Sequence, residues 1–259
     1  MKESYMLEAF NLQGKVALVT GGSRGLGKAA AIALLQSNAE VIITGRNKQT
    51  LEETVKELCA YSTKIKSYVC DVTDSNQISQ LKDYLINNNG KLDILVNNAG
   101  IVIDKHYIKT SDEEIDRIIN TNLTGLMKLT REIGTIMISQ KNGKIINIGS
   151  YDGLIGTPGL VAYGTSKGGV IQFTRMLATE WARYKVNVNV ICPGYFKTSM
   201  NEEVFDNNSE IADKIIKRIP LRRIGDPREI GPLIVYLGSE ASDYMTGQVL
   251  TIDGGEAVS

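Results

Sequence analysis

Short apolar runs and longer stretches of helical period alternate along the whole chain. Val16–Thr20 is a compact run closed by glycines, and Lys28–Ser37 then carries Ala29, Ala30, Ile32, Ala33 and Leu34 at helical spacing. Val41–Thr44 predicts a second strand and Gln49–Ala60 a second helix. The alternation continues with strands at Ile65–Cys70, Leu92–Val96, Lys144–Ile148, Val186–Ile191 and Gln248–Ile252. Strands that are apolar along their whole length are buried on both faces, and the helices between them supply the cover. The pattern predicts a doubly wound α/β fold with a seven-stranded parallel sheet. No linker, repeat or low-complexity stretch divides the chain, so residues 1–259 read as a single domain. The longest segment without a strand runs from Pro193 to about Gly247, after a strand's carboxyl end, where open α/β sheets bind ligands. An insertion around residues 195–220 is therefore expected to form a substrate lid. Within Met200–Arg218, Phe205, Ile211 and Ile215 would cover substrate or pack inward.

Composition narrows the function classes. Lys plus Arg equal Asp plus Glu at 29 each, so the chain has no electrostatic reason to seek nucleic acid or an anionic membrane. Cys59, Cys70 and Cys192 form no CxxC pair and have no His-rich neighbourhood, which suits reduced thiols and gives no metal site. The polar start lacks the apolar core of a signal peptide, and no run is long enough to span a bilayer. A cytoplasmic location is expected.

The first strand-to-helix turn is Thr20-Gly-Gly-Ser-Arg-Gly-Leu-Gly27. Gly21, Gly25 and Gly27 let the backbone turn sharply and approach a ligand, and the helix after them offers free N–H groups to a pyrophosphate. Its position at the first strand-to-helix turn favours a Rossmann-type dinucleotide-binding domain over a purely structural turn, although the spacing is G-x-x-x-G-x-G rather than G-x-G-x-x-G. The second strand ends Thr44-Gly-Arg-Asn47, with Gly45 where NAD-preferring folds place an acid. Arg46, with Arg24 on the glycine loop, suits a 2′-phosphate, so NADP(H) is favoured over NAD(H). After the third strand, Asp71 either bonds the adenine with Val72 packed beside it, or caps a helix. Asn97, at the next strand end, either serves the site or stitches strands together.

Tyr163 and Lys167, four apart within the helical stretch Val161–Tyr184, share one helix face. An ammonium beside the phenol, joined by an oxidised nicotinamide, would lower the phenol's pKa toward neutrality, where it serves as an acid/base. Ser150 ends the fifth strand, from where its hydroxyl could bond the substrate oxygen. Gly164, Gly168 and Gly169 crowd the same helix at about 1 kcal/mol each against alanine, which indicates a close approach by a cofactor or a partner helix.

Together, the glycine loop, Asn97-Asn-Ala-Gly100, Ser150, Tyr163-Gly-Thr-Ser-Lys167 and Pro193-Gly-Tyr-Phe-Lys-Thr198 resemble the short-chain dehydrogenase/reductase family, in its order and spacing. The resemblance implies a nicotinamide-dependent oxidoreductase that interconverts a ketone and a secondary alcohol. It implies that Ser150 polarises the carbonyl, Tyr163 exchanges the proton, and Lys167 bonds the nicotinamide ribose. Asn122 would hold a water on a proton relay to the lysine. Gly21, Ser23, Arg24, Gly25 and Leu26 would contact the cofactor phosphates and ribose, with Arg46 beside them. Asp71, Val72 and Asn98, followed by Ala99 and Gly100, would hold the adenosine side. Pro193 and Gly194 lead to Phe196 and Thr198 at the nicotinamide carboxamide. A homotetramer is implied as well, with the glycine-lined helix at a subunit contact.

For the substrate, Asn11–Lys15, Gly143–Ser150, Thr179–Arg183 and Ala241–Gly247 are similar to gluconate 5-dehydrogenase-like members and favour a sugar acid. Members acting on sugar acids often carry arginine after Asn-Asn-Ala-Gly, and this chain offers only Lys105 and His106 there. The alternative is a 3-oxoacyl-[acyl-carrier-protein] reductase, for which Lys141, Lys144, Arg183 and Lys185 would supply a basic mouth. A third reading, a nucleotide-sensing binding protein without chemistry, sits poorly with an intact Ser150, Tyr163 and Lys167.

Overall fold

A computed structural model describes residues 8–198 and 209–259. Its strands are β1 (Val16–Thr20), β2 (Glu40–Gly45), β3 (Ile65–Val69), β4 (Ile94–Asn97), β5 (Gly143–Ile148), β6 (Val186–Pro193) and β7 (Val249–Ile252). The main helices are α1 (Gly25–Gln36), α2 (Lys48–Leu58), α3 (Ser75–Asn89), α4 (Asp112–Ile119), α5 (Leu126–Gln140), α6 (Val161–Trp181), α7 (Ser209–Arg218) and α8 (Gly231–Gly238). The strands form one sheet in the order β3-β2-β1-β4-β5-β6-β7, and every pairing is parallel. The expected doubly wound sheet is thus present, with strand boundaries moved by one or two residues.

Successive residues of each central strand feed opposite layers. Ala17 and Val19 of β1, Val41 and Ile43 of β2, and Ile94 and Val96 of β4 pack with α1, α2 and α8. Leu18, Ile42 and Leu95 point the other way, into a core with α3, α5 and α6 that includes Ile133, Met137 and Trp181. Burial of each such aliphatic side chain contributes about 1.5–3 kcal/mol, so two full cores hold the frame whatever the site demands. Strand order reverses between β1 and β4. That reversal opens a crevice at the strands' carboxyl ends, where the glycine loop, Asn97–Gly100, Ser150 and Pro193–Thr198 all emerge.

Of the expected lid, Met200 and Phe205 lie outside the described residues. Its second half is α7, where Ile211 is exposed and Ile215 half-buried. The end of α7 is tied to the carboxyl terminus, since the Leu221 N–H bonds the Gly254 carbonyl at 3.1 Å. Among the described residues, no helix is long and apolar enough to cross a membrane, and no cluster of metal-ligating side chains occurs.

Candidate active site

The glycine loop forms a cradle. Gly21 has φ +62°, and a Cβ there would come within 3.0 Å of the Ala99 Cα. A Cβ on Gly27 would collide with the Gly21 carbonyl and the Asn98 amide. Asn98 clamps the loop by donating from its side chain to the Thr20 and Gly21 carbonyls, both at 3.0 Å. The Thr20 hydroxyl in turn accepts from the Asn98 and Ala99 N–H groups. Asn98 is expected to hold adenosine, but its amide hydrogens are spent on this scaffolding. Helix α1 starts at Arg24 with no side-chain cap and no acidic residue in its first turn. Its free N–H groups therefore face the cradle, an arrangement that fits a pyrophosphate.

Around the cradle, Ser23 and Leu26 are half-buried, and Thr198 stands over Gly25. Arg24 and Arg46 are exposed and form no ion pair among the described residues. Asp71 does not cap α3. Asp74 is that cap, and Asp71 Oδ1 instead accepts from the N–H and hydroxyl of Thr73, with Val72 buried beside it. Asn97 proves a stitch, donating to Asn147 of β5 at 2.8 Å and to Thr130 of α5 at 2.9 Å. The buried Phe196 ring lies against Gly225, with a backbone bridge between the two residues. Pro193 is buried, and Gly194 packs on Asp253 and bonds the Ile252 carbonyl. His106 is exposed.

On the other wall, Ser150, Tyr163, Lys167 and Asn122 converge. A Cβ on Gly100 would lie 3.3 Å from Asn122 Oδ1 and 3.6 Å from Lys167 Nζ, so both groups crowd one backbone. Asn122 sits in a π turn, Asn120–Gly125, between α4 and α5. Its side chain grips Ile101, accepting from the N–H at 2.8 Å and donating to the carbonyl at 2.9 Å, and also reaches the Ser166 hydroxyl. Lys167 is buried, donates to the Ile148 carbonyl at 2.8 Å, and stands 5.7 Å from the centre of the Tyr163 ring.

Before any nicotinamide binds, desolvation dominates the electrostatics. Burial pushes the Tyr163 phenol up to about 12, opposed by a hydrogen bond with Ser150 and aided by the nearby Asp152 charge. Burial also drives Lys167 down to about 8, so it keeps its charge at pH 7 at the cost of desolvation. Desolvation wins in the free protein, and a phenol this weak as an acid holds its proton.

A family model described as enoyl-(acyl carrier protein) reductase matches residues 21–256. A 3-oxoacyl-[acyl-carrier-protein] reductase of Thermotoga maritima is 40% identical over 94% of this chain and 98% of its own length. Among solved structures, a short-chain type dehydrogenase/reductase from Mycobacterium marinum is 35% identical with a TM-score of 0.92, covering 98% of this chain and 99% of that one. A gluconate 5-dehydrogenase from Burkholderia cenocepacia, in complex with NADP and tartrate, is 31% identical with a TM-score of 0.93, covering 98% of this chain and all of that one. The chain belongs to the short-chain dehydrogenase/reductase family.

In this dehydrogenase/reductase the glycines of α6 have a cause inside the chain. A Cβ on Gly164 would meet the Asp152 carbonyl at 2.7 Å, and one on Gly169 would meet the Leu123 side chain at 2.7 Å. The turn Tyr151–Gly153 and the π turn press onto α6 there, so the glycines need no partner subunit to explain them. Sequence reasoning also passed over an acidic and phenolic group beside Ser150. Asp152 is buried, and its carboxylate accepts from Ser150 Oγ at 3.0 Å and Thr157 Oγ1 at 2.6 Å. Tyr151 and Tyr195 lie with ring centres 5.8 Å apart. Buried Glu256 faces them from the tail, ion-paired with Arg218 at 3.4 Å and with its pKa raised, mainly by desolvation. An acid two residues past the strand-end serine was a readable signal for Asp152. Nothing local in the sequence pointed to Glu256.

Proposed function

We propose that this enzyme reduces a sugar-derived ketone to its secondary alcohol, and runs the reverse reaction, with NADP(H) as its redox partner. The convergence of Ser150, Tyr163 and Lys167 on the wall facing the glycine cradle carries the reading. The bound nicotinamide supplies or accepts a hydride. Ser150 holds the carbonyl oxygen by a hydrogen bond, and Tyr163 delivers its proton to that oxygen as the alcohol forms. In the reverse direction Tyr163 takes the proton back. Lys167 bonds the nicotinamide ribose and supports the phenolate, and Asn122 fixes the Ile101 backbone beside it. The cradle of Gly21–Leu26 with Ala99 and Gly100 receives the phosphates, and Arg24 and Arg46 clasp a 2′-phosphate. Asp71, Val72 and Asn98 line the adenosine side, and Pro193–Thr198 the carboxamide side.

Two features bear on substrate. The sugar-acid reading finds support in the Burkholderia cenocepacia relative. Lys105, the residue offered to a substrate carboxylate, is already paired with Glu114 at 2.8 Å, which favours a sugar whose charge, if any, lies away from the carbonyl. The Thermotoga maritima relative favours a second reading, reduction of 3-oxoacyl thioesters on a carrier protein. Against it, Lys141, Lys144, Arg183 and Lys185 precede or begin β5 and β6, at the amino edge of the sheet and away from the site. Lys144 is moreover buried on Asp243 at 2.7 Å. Assembly as a homotetramer is part of the proposal, and the exposed apolar side chains Met127 of α5 and Val161 and Met176 of α6 support it.

NADPH and NADH oxidation with sugar-derived ketones and with a 3-oxoacyl thioester tests the reading. Sugar ketones with NADPH are expected to give the highest kcat/KM. Tyr163→Phe should lower kcat by about 10²–10⁴-fold while NADPH binding survives. Full activity in that variant would refute the proposed role of the phenol.

A further inference from the structure

Ser150 has one hydroxyl proton and three claimants for it. In the free protein it donates to Asp152 Oδ2 at 3.0 Å, while Ser150 Oγ accepts from the Asp152 N–H at 3.2 Å. The second claimant is the Tyr163 phenol, and the third is the carbonyl oxygen of a bound ketone. Asp152 is no chance neighbour. Its backbone carbonyl rests on Gly164, next to Tyr163, and its other carboxylate oxygen is held by Thr157 at 2.6 Å. The carboxylate is therefore fixed in place, out of water and against the serine.

When Ser150 turns to a substrate carbonyl, Asp152 Oδ2 loses its donor. A buried carboxylate oxygen left bare is penalised far more than a neutral one. The loss falls beside the reacting carbonyl, and a donor on the adjacent substrate carbon is placed to make it good. An unadorned methylene at that carbon leaves the oxygen stranded, and a carboxylate there adds repulsion. We propose that Asp152 is a specificity-determining residue that selects ketones bearing a hydroxyl on the carbon next to the carbonyl, the α-hydroxyketone and vicinal-diol pair. This deepens the sugar-type reading above and rests on it. The negative charge of Asp152 is felt throughout the pocket, where it raises the pKa values of Tyr163, Tyr151, Tyr195 and Glu256.

Matched ketones differing only in that hydroxyl test the assignment: acetoin against 2-butanone, and 2-hydroxycyclohexanone against cyclohexanone. Each is reduced with NADPH by the wild type, Asp152→Ala and Asp152→Asn. The wild type should favour the hydroxylated member by at least about tenfold in kcat/KM. In Asp152→Ala the ratio should fall close to one, because the plain ketone no longer strands a buried carboxylate oxygen and the hydroxylated ketone no longer gains a bond to it. Asp152→Asn preserves the shape of the loop and should show the same fall in smaller degree. A merely structural role would depress both members equally, and that outcome overturns the proposal. So does a wild-type ratio near one with both members reduced, which leaves the ketone reductase reading standing. No NADPH oxidation with any ketone would bring down the proposed function and this inference with it.

Discussion

The two edges of one sheet treat buried polar groups in opposite ways. At the amino edge the buried charges Asp93 and Lys144 have protein partners. Asp93 accepts the Val16 N–H at 2.8 Å and pairs with Lys91 at 3.2 Å, and Lys144 is shared between Asn187 and Asp243. At the carboxyl edge, Lys167 carries an ammonium that burial disfavours, Tyr163 keeps a phenol far from neutrality, and Glu256, ion-paired with Arg218 at 3.4 Å, has its pKa raised, mainly by desolvation. Satisfied polar groups build the frame. Groups held against their desolvation mark where a ligand is to bind, and the apolar cores supply the stability that tolerates them.

Substitutions at the two edges should therefore have opposite effects. The largest is expected for Lys167→Met, which should lower kcat/KM by about 10²–10⁴-fold yet stabilise the fold. At pH 7 the lysine is charged in both folded and unfolded chains, and only the folded chain carries the desolvation penalty. With the folded pKa near 8 against 10.5, removing it gains up to about 3 kcal/mol. Between pH 8 and 10.5 the unfolded chain still binds the proton and the folded chain does not, so wild-type stability rises with pH across that window. The advantage of the methionine variant should shrink to nothing by its upper end in thermal melts. A variant that is both inactive and less stable at pH 7 would break the comparison.

Asp93→Ala probes the other edge. It strands the Val16 N–H and should destabilise the protein by about 1–3 kcal/mol in urea unfolding, with kcat/KM unchanged. Arg46→Ala sharpens the comparison on the cofactor side. The KM for NADPH should rise roughly tenfold while that for NADH stays put, since only the former carries the 2′-phosphate. The smallest effect is reserved for Asp152→Asn in alcohol oxidation. Asp152 disfavours the Tyr163 phenolate, so neutralising it should move the acid limb of the pH–rate profile, where rate rises as the phenol loses its proton, to lower pH by roughly one unit. A limb that stays in place would mean that the charge of Asp152 does not reach the reacting phenol.

Continuous apolar strands at regular intervals determined the sheet, because a segment buried on both faces leaves no polar positions to conceal it. The glycine loop, Asn97-Asn-Ala-Gly100, Ser150 and the Tyr163–Lys167 pair were legible because each is a local pattern at a strand end or on one helix face. Other properties depend on which distant groups share a neighbourhood, and these were not legible. Asn98 clamps Thr20 and Gly21 instead of offering its amide to adenosine, the α6 glycines seat Asp152 and Leu123, and the basic residues flanking β5 and β6 sit at the far edge. The pKa of Tyr163 also belongs here. The spacing of its lysine suggested acidification, but depth of burial is a property of the packed whole. In the free protein desolvation therefore sets the direction, and only the tertiary structure could decide it.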